Sequence, residues 1–123
     1  LIESTPAAVK QNRLKCARDF ATQFGVHVVL KGAATVIAHP DGTIFINPTG
    51  NPGMASGGMG DVLTGVIAAL IAPRLPLADA AVLGVCLHGQ AGDRAAAGGE
   101  RGLLARDLID ELRHVVNAQG ETA

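Results

Sequence analysis

The first part of the chain carries a helical pattern followed by short apolar runs. In "STPAAVKQNRLKCARDFATQFG", apolar residues recur at helical spacing between Thr5-Pro6 and Gly25. Thr followed by Pro favours a helix start and Gly a helix end, so an amphipathic helix is predicted here. The nearly continuous apolar run "VHVVLK" predicts a strand buried on both faces. The runs "TVIAH" and "TIFIN" on either side of Asp41-Gly42 predict a hairpin with a tight turn.

Three helical patterns follow in the second part of the chain. Residues 60–71 are apolar on nearly every helical face, which predicts a buried helix. Residues 76–97 predict a long Ala-rich helix that ends near Gly98-Gly99. Residues 103–116 predict a third helix with one apolar side, made of Leu104, Leu108, Leu112 and Val115. Strands first and a block of helices after them indicate an α/β fold.

Composition and charge narrow the functional classes. The 123 residues are 48% apolar and form one domain at most, with a net charge of −1 and neither Trp nor Tyr. This composition argues against a basic nucleic-acid surface and against an aromatic base-stacking platform. Cys16 and Cys86 have no metal-ligand spacing and are predicted to be reduced core residues of a cytoplasmic protein. No stretch has transmembrane length, and the first residues do not resemble a signal peptide.

One aspartate stands alone in a long uncharged stretch. Asp61 is the only charged residue between Asp41 and Arg74, and residues 50–60 before it include five glycines. An ionised carboxylate is costly to bury unless it is paired or has a chemical role. The glycine-rich loop runs into a predicted helix, so free backbone N–H groups near residues 57–60 point to one place, where the helix dipole adds about half a positive charge. This pattern predicts a site for a phosphate whose charge grows during transfer.

Two interpretations of Asp61 are compatible with the pattern. Beside a backbone anion site, its carboxylate is placed to take a proton from a hydroxyl group that attacks a phosphate. Alternatively, Asp61 only caps the helix, because Asp is a favoured cap that contributes about 1 kcal/mol. A cap requires neither five glycines nor uncharged surroundings, and this favours the catalytic interpretation. The loop matches neither the Walker A pattern nor G-x-G-x-x-G.

Other candidate residues carry weaker signals. Lys31 closes the predicted strand and precedes "GAAT", so it either contacts a nucleotide phosphate or is an ordinary solvated lysine. His88 and Asp93 in "LHGQAGD" lie on a predicted apolar helix, where a structural role is favoured over metal binding or acid–base chemistry. The remaining histidines show no clustering in the sequence and are assigned no chemistry: His27, His39 and His114.

The stretch "GNPGMASGGMGDVLTG" closely resembles the signature of the NAD(P)H-hydrate dehydratase family. "LKGAATVI", "HGQAGD" and "RGLLARDLIDEL" are similar to that family in the same order, so the resemblance covers about residues 10–116. It implies a ribokinase-like three-layer α/β/α fold and a hydro-lyase of metabolite repair that returns hydrated NADH and NADPH to NADH and NADPH. The ring hydroxyl is expected to be phosphorylated by ADP, or by ATP, with the support of Mg²⁺, before phosphate is eliminated.

The resemblance also implies the site residues. Asp61 is expected to contact the hydrated ring and to act as the catalytic base. No protein residue is assigned as a metal ligand. The residues expected to bind the nucleotide form two groups: Lys31, Gly32, Ala33, Ala34 and Thr35; and Asn51, Pro52, Gly53, Met54, Ala55, Ser56, Gly57, Gly58, Met59 and Gly60.

The family's domain is longer than this chain. Residues 1–123 are therefore expected to be the C-terminal part of a single ribokinase-like nucleotide-binding domain. The N-terminal half of the same domain, which carries most of the hydrated-cofactor pocket, is missing here and is expected to pair with this chain. We expect a sheet edge and helix faces to be covered by that half or by a second copy in a homo-oligomer. No nucleic-acid or membrane partner is expected.

Two alternative functions remain at the level of sequence. One is a ribokinase-like kinase of a small vitamin precursor, which would use the same anion site and base. The run "GNPGMASGG" argues against it, because those kinases do not show this run in the same form. The other is a nucleotide-binding module without catalysis, against which the retained Asp61 argues.

Overall fold

The computed structural model describes residues 5–118, which form two units that divide between Asn47 and Pro48. The first unit combines two helices with a small sheet, and the second is helical. The predicted domain range, 1–123, extends beyond the described residues at both ends, and it stays a prediction.

The first unit begins with two consecutive helices, α1 (Pro6–Gln11) and α2 (Arg13–Phe24). The Ala8 N–H donates to Thr5 Oγ1 at 3.1 Å, and Gly25 ends α2 with a φ of 62°, which confirms both predicted ends. The prediction of one continuous helix is wrong at Asn12, whose φ of −128° and ψ of 51° interrupt it. Asn is a weak helix former because its side chain competes for backbone hydrogen bonds.

Three short antiparallel strands form the sheet in the order β1 (Val28–Leu30), β2 (Val36–Ala38) and β3 (Ile44–Ile46). The predicted hairpin at Asp41-Gly42 is confirmed. The Gly42 N–H donates to the His39 carbonyl at 2.9 Å, and the Thr43 N–H donates to Asp41 Oδ1 at 2.9 Å.

The core of the first unit lies between α2 and the sheet. Ala17 and Ala21 are buried against β2, and their small side chains let the helix approach the strands closely. The central strand β2 is fully buried, whereas β1 is only half-buried along its length. The prediction that "VHVVLK" is buried on both faces is therefore wrong, because β1 lies at the edge of the described sheet.

The second unit contains a short 3₁₀ helix (Pro52–Met54), α3 (Met59–Ile71), α4 (Leu77–Ala95), a second 3₁₀ helix (Ala96–Gly98) and α5 (Ala105–Ala118). The predicted end of the Ala-rich helix near Gly98 is confirmed. The core cluster consists of Met59, Leu87, Ala91, Leu103, Leu108 and Val115. Met59, the first residue of α3, is buried in this core, and its packing holds the end of the glycine-rich stretch in place.

Two predictions in the second unit are wrong: the burial of the helix at residues 60–71 and the place of Leu104 on the apolar side of the last helix. Only Met59 and Leu63 of α3 are buried, although its sequence is apolar on nearly every face. Within this unit α3 packs against α4 and α5, which leaves Ile71 39% exposed. Leu104 is 58% exposed because it precedes α5, and Leu103 occupies the core instead.

The described helices and cysteines settle two further points. None of the helices within residues 5–118 combines the length and the apolar character needed to cross a membrane. Cys16 and Cys86 are both free, as predicted, but they are only half-buried, so the prediction that they are core residues is wrong.

Candidate nucleotide site

The backbone conformation of the glycine loop, residues 50–60, depends on positions that favour glycine. Gly50 and Gly58 have φ values of 104° and 87°, in a region that glycine adopts without steric cost. Asn51 caps the 3₁₀ helix that follows, with its Oδ1 accepting the Gly53 N–H at 3.0 Å. A Cβ atom on Gly53 would lie 2.6 Å from the Glu100 carbonyl oxygen, so the backbone beyond α4 leaves room for glycine alone.

Side chains anchor the second half of the loop. Ser56 Oγ donates to the Leu103 carbonyl at 3.0 Å. His88, which is 8% exposed, donates from Nε2 to the Met59 carbonyl at 2.9 Å, because a carbonyl oxygen can only accept. The structural role predicted for His88 is therefore confirmed. These contacts fix the loop on both sides of its two adjacent glycines.

Asp61 is the third residue of α3, and its side chain is exposed. Gly58 occupies the cap position of α3 without any side-chain cap hydrogen bond, so the interpretation of Asp61 as the cap is wrong. Among residues 5–118, no partner lies within hydrogen-bond distance of its carboxylate. The first N–H groups of a helix have no partners within that helix. Asp61 thus presents an accessible base beside backbone donors suited to an anion.

The other predicted group, residues 31–35, lies in the first unit as the loop after β1. Lys31 is exposed, and Gly32 and Ala34 have positive φ values of 148° and 54°. Thr35 Oγ1 donates to the Gly32 carbonyl at 3.1 Å, which closes the turn. The five residues therefore form one compact loop, and the Lys31 ammonium group has no hydrogen-bond or ion-pair partner within the part of the chain that the structure describes.

Arg13 of α2 supports this loop and was not found by sequence reasoning. Its guanidinium donates to the Ala33 carbonyl at 2.7 Å and to the Leu30 carbonyl at 2.9 Å. A Cβ atom on Gly32 would lie 2.9 Å from Arg13 Nη2, so the glycine makes room for the guanidinium. The only sequence signal is a basic residue on the helix before the strand.

A cavity of about 600 Å³ lies beside the same loop. Three cationic residues line it together with apolar and small residues: Lys10, Arg13 and Lys31. Positive charge around an apolar cavity favours ligands that combine an anionic group with an apolar or aromatic one.

The first unit also brings together two histidines. His27 Nδ1 and His39 Nδ1 lie 2.7 Å apart, so one ring N–H donates a hydrogen bond to the other ring nitrogen. The prediction that these residues do not cluster is wrong. Val28 pairs with Ala38 across β1 and β2, so the residues just outside this pair meet as well. A correct strand register would have revealed the contact.

The predicted site residues therefore form two loops, one in each unit. Residues 31–35 lie together in the first unit, and residues 51–61 lie together in the second. That both loops bind one nucleotide, and that Asp61 acts as its base, stays a prediction.

Comparison with known proteins identifies the family. A family model described as NAD(P)H-hydrate dehydratase matches residues 1–114. The chain is 50% identical over 117 residues to a bifunctional NAD(P)H-hydrate repair enzyme of Moorella thermoacetica. It is 41% identical over 119 residues to an ADP-dependent (S)-NAD(P)H-hydrate dehydratase of Neisseria meningitidis. These alignments cover 94% and 95% of this chain but only 22% and 40% of the two relatives.

Solved structures agree with this result. An ADP/ATP-dependent NAD(P)H-hydrate dehydratase from Bacillus subtilis, co-crystallised with ATP and Mg²⁺ and soaked with CoA, matches with a TM-score of 0.85 and 37% identity. The match covers 89% of this chain and 41% of that one. The predicted α/β fold class is confirmed, and the chain corresponds to part of the ribokinase-like fold of these dehydratases.

Proposed function

The chain belongs to the NAD(P)H-hydrate dehydratase family, and we propose on this premise that it supplies the nucleotide loops and the catalytic base of such an enzyme. The substrate is NADH or NADPH hydrated on the nicotinamide ring, and ADP or ATP is the co-substrate. The observation that carries the proposal is the position of Asp61. Its exposed carboxylate follows a glycine loop and the free amides of a helix start, and the helix is capped without it.

In the proposed reaction, Asp61 takes the proton of the ring hydroxyl as that oxygen attacks the terminal phosphorus of the nucleotide. An O–P bond forms, and the bond between this phosphorus and the leaving nucleotide breaks, so ADP yields AMP. The backbone N–H groups near Gly58 and Gly60 stabilise the charge on the transferred phosphoryl group. Phosphate then leaves with the electrons of its C–O bond, and a neighbouring ring carbon loses a proton. This restores the double bond.

Mg²⁺ fits this chain as an ion held by the nucleotide. Residues 5–118 contain no group of three or more His, Cys, Asp or Glu side chains that could hold a metal ion. Mg²⁺ commonly binds through substrate phosphates and water, with at most one or two carboxylates, so it requires no dedicated cluster of protein ligands. When bound, the ion offsets the charge of the phosphates.

Location and partners complete the proposal. Two free cysteines fit a reducing compartment, and we assign the protein to the cytoplasm. The N-terminal part of the domain is proposed to cover the exposed side of α3 and to supply most of the hydrated-cofactor pocket. A homo-oligomer remains the second way of covering this apolar surface.

The test uses the full-length protein that carries this chain. It is given hydrated NADPH with Mg²⁺ and either ADP or ATP, and the return of NADPH absorbance is followed. We expect nucleotide-dependent recovery, which Asp61→Asn lowers by about 10²–10⁴-fold because the proton acceptor is lost. Asp110→Asn, at an exposed position of α5, is the matched control and should keep wild-type activity. ADP binding without recovery by the wild type would replace the dehydratase with a binding module.

A further inference from the structure

Asp93, near the end of α4, holds the entrance of the glycine loop with both carboxylate oxygens. Its Oδ2 accepts the Gly50 backbone N–H at 3.0 Å. Its Oδ1 accepts a hydrogen bond from Asn51 Nδ2 at 2.9 Å. The two donors are the consecutive residues at which the loop begins, and they lie more than forty positions away in the sequence. The helix therefore fixes a loop that is remote from it along the chain.

The contact with Asp93 also fixes the orientation of the Asn51 amide. An amide group has one accepting oxygen and one donating nitrogen. Because Nδ2 donates to Asp93, Oδ1 points the other way and accepts the Gly53 N–H at 3.0 Å. Asp93 thus orients Asn51 so that its side chain caps the 3₁₀ helix at Pro52–Met54.

The same face of α4 lacks side chains where the loop passes. A Cβ atom on Gly89 would collide with the side chain of Thr49, whose hydroxyl donates to the Cys86 carbonyl at 3.1 Å. A Cβ atom on Gly92 would collide with the sulfur of Met54. Close approach at both glycines brings the loop within reach of the short Asp93 side chain.

We propose that Asp93 is a positioning residue that holds the glycine loop in its nucleotide-binding conformation before the nucleotide arrives. The link to a nucleotide rests on the proposed function, whereas the fixing of the loop rests on the contacts alone. A preformed loop binds more tightly because its ordering cost is met during folding rather than on binding. The Gly50 N–H is engaged by Asp93, so the phosphate is left to the amides nearer α3.

Asp93→Asn tests this in the full-length protein, because the new NH₂ group must face one of two donors, the Asn51 NH₂ group or the Gly50 N–H. In the first case Asn51 is expected to turn over, which removes the acceptor of the Gly53 N–H. In the second case the Gly50 N–H loses its acceptor. We expect amide exchange of Gly50 or of Gly53, both measured by NMR without nucleotide, to accelerate about tenfold, the ratio that corresponds to 1.4 kcal/mol. The KM for ADP should rise by about the same factor, while kcat changes less than about threefold.

The double variant Asp93→Asn/Asn51→Asp exchanges donor and acceptor and allows all three hydrogen bonds again. It should restore slow exchange at both Gly50 and Gly53, which a general loss of folding would not do. Asp79→Asn, an exposed position in the first turn of α4, is the control for lost charge. Unchanged exchange at both Gly50 and Gly53 in Asp93→Asn, or equally fast exchange in the double variant, would overturn the proposal.

The failure of the proposed function has a different signature. If the wild type does not dehydrate hydrated NADPH, ADP affinity is measured by equilibrium binding in place of KM. Faster exchange at Gly50 or Gly53 together with weaker ADP binding in Asp93→Asn would then still support the positioning role. Faster exchange with unchanged ADP affinity would overturn it.

Discussion

At the scale of single residues, the loop after β1 depends on the fork of the Arg13 guanidinium. Two nitrogens of one planar group reach two carbonyl oxygens, those of Leu30 and Ala33. A lysine ammonium at the end of a flexible chain does not reproduce this pair of directions. The orientation of Lys31 and its neighbours thus relies on a residue that itself need not touch the nucleotide.

We predict that Arg13→Lys lowers the free energy of unfolding by about 1–2 kcal/mol, because one charged hydrogen bond to a carbonyl is lost. In the full-length protein, the KM for ADP should rise several-fold with little change in kcat. Arg18→Lys, exposed on the same helix, is the control and should change neither quantity. Denaturant unfolding and steady-state kinetics give the two measurements. Equal effects of Arg13→Lys and Arg18→Lys would show that the two hydrogen bonds of the Arg13 guanidinium have no special role.

The residue scale also shows what sequence patterns can find. Asp61 stands out because it is the only charge in a long uncharged stretch after a glycine loop. Arg13 and the pair His27–His39 do not stand out, because their partners lie elsewhere in the chain and are set by packing and strand register. The cap at Gly58 was missed because a glycine cap uses backbone conformation and leaves no side-chain signal.

At the scale of elements, the turn between β2 and β3 gives a pH-dependent prediction. The hydrogen bond from the Thr43 N–H lowers the pKa of Asp41 below its usual value. A carboxylate whose pKa is lower in the folded state stabilises the fold above its unfolded pKa. It loses this contribution as the pH falls through the folded pKa. The hairpin should therefore weaken in acid through this one group.

The expected result is a difference in Tm between the wild type and Asp41→Ala that is largest near neutral pH. This difference should shrink below pH of about 4, the usual Asp pKa, and approach its minimum near pH of about 2. Asp41→Asn keeps the accepting oxygen but cannot titrate, so its Tm difference from Asp41→Ala should vary less with pH. Thermal unfolding followed by circular dichroism measures all three. A difference that grows in acid would contradict the assignment.

Element boundaries were predictable where local chemistry decides them. Thr5, Gly25 and the Asp41-Gly42 turn act through bonds within a few residues, and all three predictions are confirmed. Burial was less predictable, because it depends on what covers each element. The half-buried β1 and the partly exposed α3 both have apolar sequences that would suit a fully covered position.

At the scale of the whole molecule, two observations belong together. One side of α3 is apolar and exposed, and the chain spans only part of the length of its relatives. The chain spans 22% of the Moorella thermoacetica enzyme and 40% of the Neisseria meningitidis enzyme. Ala68 and Ala69 of α3 are exposed in this chain, and the neighbouring Ile71 is 39% exposed. If the N-terminal part of the domain covers this side, the same residues are buried in the longer protein.

One substitution, made in the 123-residue chain and in the full-length protein, distinguishes an exposed side of α3 from a covered one. Ala68→Glu places a charge at an exposed helical position of the 123-residue chain, where its effect on the free energy of unfolding should stay within about 0.5 kcal/mol. In the full-length protein the same charge would be buried without a partner, at a cost of several kcal/mol. Gln23→Glu, exposed on α2, should have little effect in either protein. Denaturant unfolding of each variant and its wild type, in both proteins, gives these free-energy differences, and varying the protein concentration detects self-association.

A small effect of Ala68→Glu in both proteins would show that this side of α3 stays open to solvent. A large, concentration-dependent effect in the short chain would assign it to a second copy.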